Sequence, residues 1–283
     1  MLDPKKVPVL ILAGGLGTRL SEETQARPKP MVEIGEMPIL LHLMRSYYAH
    51  GFNDFVICAG YRAWDIKEYF LHYKFRSNHL AIDHRETQHD SAEIFGRNDT
   101  QERWRVRIID TGLETMTGGR VARALDAITD SITTDKPGDK SEKFDHFAVT
   151  YGDGLCDVNL TEELRFHEKH GKIGTMLGVT PVSRFGELNT NAEGLVEEFI
   201  EKPTFSEQQI NGGFMFFKKE FRSYLSDAAD CIFERKPLEK LARDRQMMLF
   251  KHKGFWQCMD TLRDKMLLQS LWDKGEAPWF KKG

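Results

Sequence analysis

An α/β fold, with a mostly parallel sheet flanked by helices and a β-rich C-terminal extension, is what this 283-residue sequence predicts. Three observations carry that prediction. Short apolar runs end abruptly at glycine, as buried strands do, and segments with apolar residues at helical spacing lie between them. Such alternation is the pattern of a parallel sheet covered by helices on its faces. From about residue 172 the texture changes to closely spaced strand-like runs, which predicts the β-rich part.

In chain order, Val7 to Leu12 reads as a buried strand, and Pro8 places its start at or near a sheet edge. After Pro38, residues Ile39, Leu40, Leu43, Met44 and Tyr47 repeat at helical spacing, and Gly51 supplies the stop. Phe55 to Tyr61 is a second strand, WDIKEYFLHY a short amphipathic helix and RVRIID a third strand. GGRVARALDAI is a helix that begins at glycine, and FAVTYGDG, Phe147 to Gly154, is a strand whose end carries an aspartate. Beyond residue 172, IGTMLGVT, GLVEEFI, GGFMFF and MMLFKHK read as strands and TLRDKMLLQSLWDKG as a final helix. The polar stretches at roughly His84 to Arg103 and Ser131 to Asp145 read as surface loops or insertions. No internal repeat is present.

The chain is 40% hydrophobic and 29% charged, which is the composition of a soluble globular protein. Its formal charge of −3 provides no global attraction to nucleic acid or to anionic membranes, so any bound anion must meet a local cluster of cations. Cys58, Cys156, Cys231 and Cys258 are far apart and form no C-x-x-C pair, so neither a zinc site nor a disulfide framework is signalled. The apolar stretch Val7 to Ala13 is too short for a signal-peptide core or a membrane span, and the expected location is cytoplasmic.

The chemistry concentrates in LAGGLGTRLSEETQARPKPM, Leu12 to Met31, directly after the first strand. Glycines at such a turn let backbone amides approach a phosphate closely, because no Cβ stands in the way. A P-loop would need lysine followed by serine or threonine after the last glycine, and here Thr18 and Arg19 follow Gly17. A dinucleotide fingerprint would need glycine where Leu20 stands, which disfavours a nicotinamide-dependent oxidoreductase. What remains is a phosphate loop with its own cations, Arg19, Arg27 and Lys29, the last bracketed by Pro28 and Pro30. The plainer alternative is a strand-to-helix turn with solvated charges.

Polyphosphates travel with Mg²⁺, for which one or two carboxylates suffice. Asp153, flanked by Gly152 and Gly154 at a strand end, is one candidate ligand or else a turn residue. Asp260 is the other, or else a helix N-cap. TGLETMTGGR, Thr111 to Arg120, reads as a second anion site or a plain N-cap, EKP at Glu201 to Pro203 as a charged turn, and INGGFMFF as a sugar-hydroxyl site or a hairpin. No set of nucleophile, histidine and acid is evident.

Together, LAGGLGTRLSEET, PKPM, TGxxxMTGGR, TYGDG, EKP, NGGF and GFWQxMDTLRDK resemble, in order and approximate spacing, the glucose-1-phosphate cytidylyltransferases over nearly the whole chain. The resemblance implies a Rossmann-like nucleotide-diphospho-sugar transferase fold as one unit over 1–283. About 1–171 would bind the nucleotide, and about 172–283 the sugar phosphate. It implies that Leu12, Ala13, Gly14, Gly15, Leu16, Gly17, Thr18, Arg19 and Lys29 hold CTP, with Thr115, Arg120 and Gly152 adding contacts. Asp153 and Asp260 would hold Mg²⁺, and Glu201, Lys202, Asn211 and Gly213 would face a sugar 1-phosphate. Arg19, Lys29 and Lys202 would be the catalytic cations, and a homo-oligomer is expected, with no nucleic-acid or membrane partner. Arg27 stands where lysine is common, and SRFGELN at 183 to 189 departs from the family pattern on the sugar side. The rival readings are a non-catalytic nucleotide-sugar-binding module and an enzyme of the same chemistry with another nucleotide or phosphorylated acceptor.

Overall fold

A computed structural model describes residues 1–15, 17, 27–76, 78–83, 91–95, 102–134, 144–180, 187–191, 193–200 and 209–280. Its centre is a seven-stranded sheet made of β1 (Val9–Leu12), β2 (Asp54–Ala59), β3 (Arg105–Asp110), β4 (His146–Tyr151), β5 (Gly174–Val179), β6 (Ile210–Lys218) and β7 (Met247–His252). The strand order is β7-β5-β6-β4-β1-β2-β3. All neighbours pair in parallel except β6, which runs against both β5 and β4. Of the strands expected after residue 172, three continue the same sheet, whereas Val196–Ile200 pairs with Glu187–Thr190 in a separate two-stranded ribbon.

Both faces of the inner strands are buried, which explains their unbroken apolar runs, whereas the edge strands β3 and β7 are only partly covered. Along β1, Val9 and Ile11 join the core on one face, and Leu10 and Leu12 join the core on the other. The first face is covered by helices α1 (Ile39–Ala49), α4 (Leu160–His170) and α6 (Leu262–Asp273), and the second chiefly by α3 (Thr117–Thr134) and α5 (Lys236–Arg243); α2 (Ala63–Leu71) adds Ile66 to the first. Gly51 follows α1 with φ +91°, the left-handed turn its position predicts. Among the described residues, no helix is long and apolar enough to cross a membrane.

Three local readings change. Pro8 does not mark a sheet edge, because β1 lies between β4 and β2. It precedes the first paired residue, so its missing N–H removes no ladder bond, while its carbonyl accepts from Ala148 N at 2.9 Å. Part of the polar stretch after His84 is a strand, Ser91–Phe95, antiparallel to His79–Asp83. Helix α4 is an element the hydropathy pattern hides. Its buried stripe is Leu160, Glu163, Leu164 and His167, so two polar residues occupy core positions of an otherwise regular helical period. Burial pushes the Glu163 carboxyl well above the ordinary carboxylate range.

Candidate active site

The carboxyl ends of β1 and β4 lie side by side, the usual location of ligands in open α/β sheets. Gly152 N donates to Leu12 O at 3.0 Å and joins the two strand ends. Around them opens a cleft of about 430 Å³ lined by Leu12 to Gly15, Gly17, Lys29, Pro30, Thr115 to Thr117, Arg120, Tyr151 to Asp153 and Asp260. Eleven of the sequence-derived site residues thus line one cleft, and Asn211 and Gly213 stand beside it against Tyr151. Leu16, Thr18, Arg19, Glu201 and Lys202 lie outside the described residues.

Lys29 opens a single 3-10 turn, Lys29–Met31, between an extended Pro28 and Pro30 within the turn. Its Nζ donates to Asp153 Oδ2 at 2.5 Å and to Asp260 Oδ1 at 2.6 Å. Burial by itself would lower the Lys29 pKa, but the charges and hydrogen bonds of the two carboxylates outweigh it and leave the ammonium above its ordinary value. The side chains are 13%, 24% and 28% exposed in the order Lys29, Asp153, Asp260, so water screens this trio only in part.

A three-residue ribbon brings the two acids together. Gly154–Cys156 pairs antiparallel with Trp256–Cys258, and Met259 N donates to Asp153 O at 2.9 Å just beyond it. Asp260 is not the helix N-cap. Thr261 caps α6, and Asp264 closes a reciprocal capping box that also accepts from the Asp260 N–H at 3.1 Å. The cap is supplied by its neighbours, and the Asp260 carboxylate turns toward Lys29 instead.

Arg120 has a different task from a phosphate ligand in this structure. It is 4% exposed, and its two terminal nitrogens donate to the carbonyls of Ala59, Gly112, Gly14 and Leu113 and to Thr111 Oγ1, at 2.7 to 3.2 Å. This guanidinium ties the glycine loop to the ends of β2 and β3. A Cβ on Gly14 would come within 2.2 Å of it, so Gly14 is glycine to admit Arg120, whereas at Gly15 a Cβ would meet nothing.

The glycines of MTGGR likewise serve packing. Met116 N donates to Ala229 O, and Gly118 N and Gly119 N donate to Cys231 O, which occupies the amides an anion would need. Cβ atoms on Gly118 and Gly119 would strike Cys231 Sγ and Ala228 O at 2.6 Å. Thr115 lines the cleft with its hydroxyl accepting from Arg123 Nη1 at 2.7 Å. Arg27 pairs with Glu33 at 3.1 Å on the surface and stands apart from the trio.

Residues 8–261 match the nucleotidyl transferase family. The chain belongs to that family. It is 43% identical over 274 residues to the glucose-1-phosphate cytidylyltransferase of Salmonella typhimurium strain LT2, covering 95% of this chain and 97% of that one. It is 36% identical over 270 residues to a protein of Bacillus subtilis strain 168 named probable glucose-1-phosphate cytidylyltransferase, covering 95% and 98%. A solved UDP-glucose pyrophosphorylase with UDP-glucose shares the fold at a TM-score of 0.62 and 15% identity, over 95% of this chain and 99% of that one.

In this nucleotidyltransferase the NGGF motif forms a second wall beside the cleft. Asn211 Oδ1 accepts from Gly213 N at 2.8 Å, and its Nδ2 donates to Tyr151 Oη at 3.3 Å. Gly213 has φ +81°, and a Cβ there would reach 2.6 Å from the Tyr151 ring. Gly213→Ala is therefore expected to cost roughly 1–3 kcal/mol in urea denaturation. A loss below about 0.5 kcal/mol would mean that the ring simply yields. Trp256 Nε1 donates to Gly212 O at 2.7 Å and fixes this wall to the ribbon that carries the acids.

Two residues escaped the sequence reading. Tyr151 donates to Glu234 Oε1 at 2.6 Å, and Thr117 donates to Glu234 Oε2 at 2.7 Å, so one carboxylate links the two walls. Tyr151 was visible in TYGDG, whereas Glu234 lies in a segment with no local signal. Another trio of potential metal ligands, Cys156, Asp157 and His252, also occurs among the described residues. There His252 Nε2 and Asp157 Oδ1 satisfy each other at 2.8 Å, and burial pushes the Cys156 thiol far up and keeps it protonated.

Proposed function

We propose that this nucleotidyltransferase makes CDP-glucose and pyrophosphate from CTP and glucose 1-phosphate, with Mg²⁺ as its metal. The observation that carries the reading is the meeting of Lys29, Asp153 and Asp260 on the floor of a glycine-lined cleft. The identity to the Salmonella cytidylyltransferase supports the choice of base and sugar.

The donor set suits a hard divalent cation. Two carboxylates that both reach one ammonium present oxygen atoms toward a common point, and Mg²⁺ needs only one or two carboxylates beside substrate phosphates and water. Asp153 and Asp260 would hold it, and when bound it would neutralise charge on the phosphates.

In the reaction, a phosphate oxygen of glucose 1-phosphate attacks the α-phosphorus of CTP, a new P–O bond forms, and the bond to the leaving pyrophosphate breaks. The monoester has a second pKa near 6 and is already largely dianionic at neutral pH, so no general base is required. The obstacle is bringing anions together, which positioned cations and oriented amides overcome. Lys29 would meet the phosphates of both reactants, Arg19 the leaving pyrophosphate and Lys202 the sugar phosphate. Asn211, anchored by Tyr151, would orient the sugar.

Pyrophosphate release tests this directly, with Mg²⁺, each of the four nucleoside triphosphates and a panel of sugar 1-phosphates. CTP with glucose 1-phosphate should lead by at least an order of magnitude. Another leading pair overturns the substrate assignment, and silence from every pair overturns catalysis.

A further inference from the structure

The main chains of Asp153 and Asp260 are held in place independently of what lies between their side chains. The ribbon fixes Asp153 through Met259 N, and the capping box of α6 fixes Asp260 through its own N–H. Two like charges pinned face to face in a half-buried cleft repel each other unless a cation stands between them. Lys29 supplies that cation from a turn stiffened by two prolines, with one hydrogen bond to each acid.

We propose that Lys29 is an internal counter-cation that competes with the divalent metal for Asp153 and Asp260 and releases them when a substrate phosphate takes it up. The inference rests on the reading of these two aspartates as metal ligands. A divalent cation on the oxygens that Lys29 now holds would sit against the ammonium at close range, and the two repel. Binding the metal therefore requires Lys29 to leave at least one carboxylate. A phosphate in the adjoining cleft gives the ammonium a replacement acceptor, so phosphate and metal each strengthen the binding of the other, reciprocally, as linkage demands. Metal without nucleotide binds weakly, and the pair binds well. The carboxylates meanwhile stay charge-compensated and oriented in the empty enzyme.

The test reads metal binding and not turnover. Mn²⁺ is titrated into the intact protein, and the electron paramagnetic resonance signal of the free ion is followed, alone and with saturating CMP, a phosphate ligand with little metal affinity of its own. Lys29→Met should bind Mn²⁺ at least about tenfold more tightly than the unmodified protein in the absence of CMP. CMP should tighten Mn²⁺ binding severalfold in the unmodified protein and leave Lys29→Met unchanged. In EDTA, Lys29→Met should melt lower than the unmodified protein and gain more from added Mn²⁺. Should the methionine variant not fold, Lys29→Gln, neutral but still a hydrogen-bond donor, gives the same comparison. Unchanged or weaker Mn²⁺ affinity on loss of the ammonium overturns the proposal. Asp153→Asn and Asp260→Asn examine the underlying reading separately: if they keep full Mn²⁺ affinity, the aspartates are not the metal ligands, whatever Lys29 does.

Discussion

Asp153→Ala or Asp260→Ala will lower pyrophosphate release by about three orders of magnitude, the scale of losing roughly 4 kcal/mol of transition-state stabilisation. Each acid accepts a hydrogen bond from Lys29, and the short ribbon brings their two segments together. Either substitution leaves the ammonium one carboxylate and removes half of the proposed metal site. The ribbon and the α6 cap use backbone and Thr261 and Asp264, so circular dichroism and the melting transition should change little. Full Mg²⁺-dependent turnover in a folded variant would remove both residues from the chemistry.

Arg120→Met should show the largest loss of stability, about 3 kcal/mol in denaturant titration. Methionine fills much of the volume of the arginine side chain, but it takes the guanidinium donors from the carbonyls of Gly112 and Leu113 and from the Thr111 hydroxyl, while Ala59 O and Gly14 O keep the backbone donors Thr111 N and Tyr61 N. Arg120→Lys should recover little, since a single ammonium cannot span acceptors that a planar fork reaches together. Activity should fall as well, because Gly14 loses one of the two donors that hold its carbonyl at the cleft. A loss under about 1 kcal/mol would show that other contacts hold the loop.

These two sites divide what was legible in the amino-acid order from what was not. Lys29, Asp153 and Asp260 could be named from residue type and from their places after apolar runs. That Asp260 escapes capping duty could not, because Thr261 and Asp264 compete for the same role and only the helix geometry decides among them. An arginine at the mouth of a glycine-led helix, Arg120 reads locally as part of an anion site or of a plain N-cap. The carbonyls that consume its donors come from strand ends and loops elsewhere in the chain, and so do the carbonyls of Ala229 and Cys231 that occupy the amides of MTGGR. Helix α4 was hidden because Glu163 and His167 take core positions, and only the surrounding packing reveals them as buried.

By itself the sequence determined the alternation of buried strands and amphipathic helices, since a strand covered on both faces has to be apolar throughout and a helix on its face has to repeat at 3.6 residues. It also determined that cations and carboxylates cluster after strands. The tertiary structure alone decided which of them meet. Lys29 reaches both aspartates because a ribbon pairs segments about a hundred residues apart, and Gly14 is glycine because Arg120 arrives from another element. Contacts of that kind depend on sheet order and close packing, which no local period encodes.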